Sequence, residues 1–137
     1  MNMQNAFQNL NWLALLLAAV SAFALGFVWY SLIFSKRWAK ENGFTDNPGK
    51  DANPLKIFGG SFLLMFFAAF NLGMFVGKSA GAFFGCLAGF LAGLGWVFTF
   101  LGVIYLFERK SLAHFLINGV YSVLSLTLMG LIIGVMQ

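Results

Sequence analysis

Five polar residues in the last apolar segment of the chain fall on one face of a predicted helix. At about 100° per residue they cover an arc of about 100°, and they climb about 16 Å along the helix axis. In lipid such a face turns toward protein or toward a water-filled cavity, because unpaired polar groups are costly there. It either bonds to neighbouring helices or lines a pocket for a ligand or an ion. We call this face the polar stripe; its residues are His114, Asn118, Tyr121, Ser122 and Ser125.

Residues suited to nucleophilic or metal chemistry are sparse. His114 is the only histidine and Cys86 the only cysteine, and the segments that carry them place the two near opposite membrane faces. A zinc-type site with nitrogen and sulfur ligands is therefore not predicted. The chain has no G-x-S-x-G motif, and His114 has no acidic partner deep in a helix. We expect no enzyme activity, no catalytic residue, no metal and no cofactor.

A second group of residues is expected at the start of the polar stripe. We expect Glu108 to be the only acidic residue close to a helix boundary. It either pairs at the surface with Arg109 or Lys110, which contributes little, or caps the stripe and approaches His114. An aromatic cluster at the end of the first apolar segment lies on the same side. The candidate polar pocket therefore consists of Trp29, Tyr30, Ser31, Glu108, His114, Asn118, Tyr121, Ser122 and Ser125.

The elements that must position these residues are long apolar segments. Of 137 residues, 61% are hydrophobic and 9% are charged, which is typical of a polytopic membrane protein. The first segment lacks a basic flank of the signal-peptide kind, so we expect it to be retained. Asn71, in the second segment, either bonds to another helix or lines a pore or pocket. We predict a single all-α domain, a four-helix transmembrane bundle with helices at about 10–34, 57–77, 80–107 and 112–136 and a cytoplasmic loop at about 35–55.

The basic residues predict the orientation of this bundle. Seven of the eight lie in the two loops that follow the first and third segments, and only Lys78 lies on the other side. By the positive-inside rule both loops are cytoplasmic and both termini outside. The net charge of +4 reflects this topology; no basic tract with interleaved aromatics indicates nucleic-acid binding. The seven are Lys36, Arg37, Lys40, Lys50, Lys56, Arg109 and Lys110.

Two rows of small residues recur at four-residue spacing and predict close helix packing. In lipid, such a row forms a groove that another helix can approach closely. The two rows could face each other, although the sequence does not pair them. The short turn at 78–80 makes the second and third helices antiparallel neighbours. The rows are Ala14, Ala18, Ala22 and Gly26 in the first segment and Gly81, Gly85, Gly89 and Gly93 in the third.

Two motifs in this chain resemble a bacterial membrane family known as domain of unknown function 1761. One is Gly26 with Trp29-Tyr30-Ser31, followed by Phe34 and Trp38. The other is Leu106-Phe107-Glu108-Arg109, followed by Phe115-Leu116-Ile117-Asn118 and Tyr121. The resemblance extends over nearly the whole chain and implies a small four-helix membrane protein with no assigned activity. It also implies that the positions that matter are Trp29, Tyr30, Ser31, Glu108, Asn118 and Tyr121.

Three functions remain open from the sequence. The first is a structural or accessory subunit that forms a homo-oligomer or a larger membrane complex through its small-residue faces. The second is a small oligomeric channel or transporter with a polar path along the fourth helix. The third is a cytoplasm-facing pocket for a lipid or quinone head group, formed by Trp29, Tyr30, His114 and Tyr121. The lipid bilayer is the expected environment in all three.

Overall fold

The computed structural model describes residues 2–44 and 52–137. Every regular element within those residues is helical. Part of the predicted loop at 35–55, including Lys50, lies outside them. The helices, in chain order, are α1 (Met3–Gln8), α2 (Trp12–Ile33), α3 (Ser35–Glu41), α4 (Leu55–Val76), α5 (Gly81–Phe107) and α6 (Leu112–Met136).

Four of these helices are long and apolar enough to cross a membrane. α2 and α4 have 22 residues each, α5 has 27 and α6 has 25. At about 1.5 Å per residue, each reaches or exceeds the roughly 30 Å of a hydrocarbon core. The predicted all-helical architecture with four membrane-length helices is therefore confirmed.

The helices begin and end where the sequence supplies capping and turn residues. The side chain of Asn11 accepts a hydrogen bond from the backbone N–H of Ala14 and so caps α2, and Ser111 caps α6 through the N–H of His114. Between α4 and α5, Gly77 and Gly81 have φ values of +70° and +86°. Glycine adopts this region without strain, and the chain reverses direction there within a few residues.

The bundle has two distinct ends. At the first, the Gln137 side chain donates to the Gly73 carbonyl oxygen at 2.7 Å, and the Asn11 side chain donates to the Met136 carbonyl oxygen at 2.9 Å. We call this the terminal end, because the C-terminal Gln137 meets the 77–80 turn there and Asn11, at the start of α2, lies beside it. The opposite end carries α3 and the turn before Ser111, and we call it the loop end.

Glycines bring the backbones of α5 and α6 into direct contact. A Cβ atom built on Gly89 would lie 1.9 Å from the Leu126 carbonyl oxygen, and one on Gly85 would lie 2.1 Å from that of Gly130. Gly134 on α6 likewise leaves no room for a side chain against Gly81. The glycine row of the third segment thus packs against α6 of the same chain.

The small row of α2 packs elsewhere. Ala14, Ala18 and Ala22 are fully buried, and the last two lie in a core with Ala69 of α4 and Ile133 of α6. Helix α6 packs against both α2 and α5, which share no extensive contact. The suggested pairing of the two small rows is therefore wrong, because α6 presents its own glycines to α5 and its large apolar residues to α2.

Helices α4 and α5 are neighbours mainly near their connecting turn, where the rings of Phe75 and Phe84 stack with centroids 6.3 Å apart. Farther from the turn the two helices border an apolar groove with a volume of about 700 Å³, to which α6 contributes Leu126. We call this the α4–α5 groove. The expectation of antiparallel neighbours therefore holds at the turn, with a cavity beyond it.

The glycine contact yields a test with a matched control. Gly89→Ala places a methyl group against the α6 backbone, so we expect a loss of about 1–3 kcal/mol in the free energy of unfolding. Gly95→Ala makes the same chemical change where nothing lies within 4 Å, and it should change stability by less than about 1 kcal/mol. Unfolding of both variants in mixed micelles by titration with a denaturing detergent measures the difference. Equal stabilities would contradict the close contact.

Candidate functional site

Asn118 joins three helices at the centre of a hydrogen-bonded network. The Tyr30 hydroxyl of α2 donates to Asn118 Oδ1 at 2.7 Å. Asn118 Nδ2 in turn donates to the Tyr105 hydroxyl of α5, also at 2.7 Å. A carboxamide is suited to this position, because it offers an acceptor and a donor to two different partners. The group therefore connects α2, α5 and α6 through side chains.

Two further side chains connect α2 and α6. Trp29 Nε1 donates to the Ile117 carbonyl oxygen at 2.9 Å, and the Tyr121 hydroxyl donates to the Ala22 carbonyl oxygen at 3.0 Å. The rings of Tyr30 and Tyr121 meet edge to face with centroids 5.0 Å apart. With Asn118, these residues form what we call the aromatic–amide network: Trp29, Tyr30, Tyr105, Asn118 and Tyr121.

A π-helical segment lets two consecutive residues of α2 reach the same neighbour. Successive side chains of an α-helix diverge by about 100°, yet Trp29 and Tyr30 both bond to α6. They lie in the π-helix Val28–Ile33. Its wider i→i+5 turn reduces that divergence. The Trp-Tyr-Ser motif is thus positioned by a local departure from α-helical geometry.

The polar stripe itself is only partly joined to other helices. The Ser122 hydroxyl donates to the Asn118 carbonyl oxygen of its own helix at 2.9 Å. The Ser125 hydroxyl is buried and makes no hydrogen bond of acceptable geometry to the described residues. Ser31 is exposed and lies outside the aromatic–amide network. Asn118 and Tyr121 therefore supply the interhelical bonds of the stripe.

His114 lies at the start of the stripe and is only 4% exposed. Its ring packs at a tilt against Tyr105, with centroids 5.1 Å apart. Only its backbone N–H takes part in a cap with Ser111; the imidazole makes no hydrogen bond to the described residues. His114 is thus a buried neighbour of the network through its contact with Tyr105.

At the loop end, the carboxylate of Glu41 bonds to the start of α6. One of its oxygens accepts from Arg37 Nε at 2.8 Å, and the other accepts from the Ser111 hydroxyl at 2.5 Å. The Ser111 hydrogen bond, assisted by the Arg37 charge, holds the pKa of Glu41 below its ordinary value. Glu108, the expected carboxylate, is exposed and forms no ion pair within the described residues.

Sequence reasoning missed two members of this site. The four-residue spacing of Arg37 and Glu41 indicates their pairing, but nothing in the pattern brings Glu41 to Ser111. Tyr105 was also not predicted, because it lies among apolar residues of α5 and reaches Asn118 only through the packing of α5 on α6. Asn71 lies apart from the site. It donates to the Phe67 carbonyl oxygen of its own helix and opens toward the α4–α5 groove.

Residues 13–134 match the family described as "Protein of unknown function (DUF1761)". The chain belongs to this family. The resemblance stated from the two motifs is confirmed, and the match extends over nearly the whole chain. Comparisons with curated proteins and with solved structures give no match. The DUF1761 assignment supplies no reaction, so the chemistry of the site has to come from its geometry.

That geometry consists of satisfied hydrogen bonds between helices. In this DUF1761 protein, the hydroxyl and indole donors of Trp29, Tyr30 and Tyr121 are each engaged by an acceptor on α6 or α2. No nucleophile is paired with a base among the residues of the network. The arrangement can fix the relative position of three helices.

The network yields a test that uses two asparagines. Asn118→Leu removes two interhelical hydrogen bonds and leaves the hydroxyls of Tyr30 and Tyr105 without this partner. We therefore expect a loss of about 1–2 kcal/mol in the free energy of unfolding. Asn71→Leu is the same substitution at an exposed position bonded only to its own helix, and it should change stability by less than about 0.5 kcal/mol. Detergent-titration unfolding measures both. A larger loss in Asn71→Leu would contradict the role given to Asn118.

Proposed function

We propose that this protein is a non-enzymatic, multi-pass protein of the bacterial inner membrane that serves as a structural or accessory subunit. The observation that carries the proposal is the use of the polar stripe. Asn118 and Tyr121 bond to other helices of the same chain. In lipid such bonds hold helices together, at about 0.6 kcal/mol each on average.

The hydrogen bonds weigh against the two alternatives. A polar path along α6 needs groups that can exchange bonds with a passing solute, and the donors of Tyr30, Asn118 and Tyr121 already have protein partners. A head-group pocket needs free donors that a ligand can reach at the loop end, where the Trp29 indole is bonded to the Ile117 carbonyl oxygen and the His114 ring is buried. The packed site therefore favours a structural role.

The burial of the small rows changes how assembly is expected to occur. Ala18, Ala22, Gly85 and Gly89 are buried within the chain. Oligomerisation through these rows would require the bundle to open, which would break the contact of Gly89 with α6. We propose that a homo-oligomer or a larger membrane complex forms instead through outward faces, which are rich in phenylalanine and leucine.

The proposed orientation has both termini outside and the loop end in the cytoplasm. Its support is that the two basic segments meet at one end, because Glu41 of α3 bonds to Ser111 after the Arg109-Lys110 pair. The isolated Lys78 lies at the terminal end. A charge difference of this kind orients membrane proteins.

Cysteine labelling tests the orientation. In a Cys86→Ser background, Gln4→Cys at the terminal end should react with a membrane-impermeant maleimide on intact spheroplasts. Ala52→Cys at the loop end should react only after lysis. Both positions are exposed, and neither change alters the number of basic residues, so they are matched controls for each other. Labelling of Ala52→Cys before lysis would contradict the orientation.

Reconstitution and native mass spectrometry test the structural role. Proteoliposomes with the wild-type chain should release protons and small neutral solutes no faster than protein-free liposomes. Native mass spectrometry from membrane nanodiscs should show several copies or a co-extracted partner. A saturable flux that Asn118→Leu abolishes would establish the channel alternative in its place. A monomer without any partner would contradict the subunit role.

A further inference from the structure

The loop end gathers cations from two parts of the chain that are distant in sequence. One part is α3, and the other is the turn between α5 and α6. The hydrogen bond from the Ser111 hydroxyl to Glu41 joins them. Each part supplies two exposed basic side chains that are not engaged with Glu41. We call these four residues the loop-end basic surface; they are Lys36, Lys40, Arg109 and Lys110.

The loop-end basic surface carries positive charge that the described part of the chain does not neutralise. Among residues 2–44 and 52–137, the acidic residues are Glu41 and Glu108. Glu41 is occupied by Arg37 Nε at 2.8 Å and by the Ser111 hydroxyl. Glu108 is exposed and forms no ion pair with these residues. Four cations therefore face solvent beside a single unpaired carboxylate, and this surplus charge is available to an anion.

Arg109 occupies a backbone position that usually belongs to glycine. Its φ is +57°, in the left-handed region. The N–H of Lys110 donates to the Tyr105 carbonyl oxygen at 2.9 Å, and that of Arg109 donates to the Leu106 carbonyl oxygen at 3.2 Å. This pair of bonds is the Schellman motif, in which glycine is the usual residue because a Cβ disfavours the left-handed region. The chain thus keeps a cation where the backbone alone favours glycine.

Membrane orientation and helix electrostatics do not require a cation at this position. The positive-inside rule depends on how many Lys and Arg residues a loop carries, and any position in the turn serves it equally. The negative end of the α5 dipole is complemented by Lys110, the next residue, without strain at that residue. An unfavourable backbone conformation that is nevertheless kept indicates a further role for its side chain.

The turn before α6 lies at the level of the lipid head groups when the bundle is inserted. With 27 residues, α5 is about 40 Å long by helical rise. That length matches a bilayer including its polar regions, about 40–45 Å. Phe107 and Leu112, on either side of the turn, are 86% and 70% exposed. In lipid these side chains lie among acyl chains, which places Arg109 and Lys110 beside the phosphate groups.

We propose that the loop-end basic surface binds the phosphate groups of anionic glycerophospholipids, with Arg109 and Lys110 as the principal contacts. A guanidinium offers two parallel N–H donors to phosphate oxygens, whereas a lysine acts as a point charge. Lys36 and Lys40 increase the positive potential around this contact. The proposal rests on the membrane insertion proposed above, and it adds the class of lipid that this end of the bundle selects.

Native mass spectrometry from nanodiscs tests the lipid preference. The purified chain is reconstituted in equimolar phosphatidylglycerol and phosphatidylethanolamine, so that its orientation in a cell does not affect the result. The wild type should retain phosphatidylglycerol severalfold over phosphatidylethanolamine. Lys110→Gln should lower this ratio about two- to fivefold, as expected for one cation near an anionic surface. Lys78→Gln is the same change at an exposed position of the terminal end, and it should have little effect. Equal losses would overturn the site in favour of net-charge attraction.

Arg109 allows lipid binding to be separated from stability. Arg109→Gly removes the cation and supplies the residue that the backbone favours, so the lipid ratio should fall about two- to fivefold while the free energy of unfolding does not decrease. Arg109→Lys keeps the charge and should keep most of the preference. A glycine variant with the wild-type ratio would overturn the contact. A loss of stability in parallel with the ratio would overturn it in favour of a role in the fold.

Salt dependence and membrane extraction identify which proposal fails. The association of spin-labelled phosphatidylglycerol with the wild type, relative to phosphatidylcholine, should fall toward one at about 1 M salt, where the screening length is about 3 Å. A preference that salt leaves unchanged would overturn the phosphate contact. Alkaline carbonate extraction reports on insertion separately. A chain that resists extraction but shows no preference refutes the lipid surface and leaves the proposed function intact, whereas an extracted chain refutes both.

Discussion

The direct contact of the α5 and α6 backbones is the constraint on which the rest of the structure depends. Glycines on both helices are required, since a Cβ on Gly85 would meet the Gly130 carbonyl oxygen and one on Gly130 would meet that of Gly85. In water, glycines at this density would weaken a helix. Within lipid, where apolar side chains gain nothing by leaving the solvent, close backbone packing becomes a main source of helix association.

That contact sets the geometry of the aromatic–amide network. Tyr105 reaches Asn118 because α5 still faces α6 beyond the glycine contact, where Phe98 packs against Phe115, and Asn118 can then accept from Tyr30 of α2. The glycine contact and the network are complementary. The glycine contact involves backbone atoms and sets the distance between α5 and α6. The network consists of directional hydrogen bonds and sets the rotation of the helices about their axes. The structural role proposed for the stripe follows from this division.

The sequence was sufficient to predict the four long helices, but it did not predict which helices pack against each other. Hydropathy predicted four long helices, and four-residue spacing identified Gly85 and Gly89 as contact residues. The spacing did not predict which helix these glycines contact, because several helices carry rows of small residues. Which two helices pack together depends on how well their whole faces fit. For the same reason Asn118, Tyr30 and Trp29 were found from their types and motif, whereas Glu41 and Tyr105, whose partners are distant in sequence, were not.

The same glycine contact explains why α4 and α5 separate beyond their turn. The small face of α5 is committed to α6, so the face left for α4 combines short side chains, Ala88 and Ala92, with the large Trp96. Phe75 and Trp96 border this space and are largely exposed, while the alanines leave room between the helices. A cavity is the consequence, and α6 closes one side of it with Leu126. The packing that holds the bundle together thus also forms the space into which Asn71 opens.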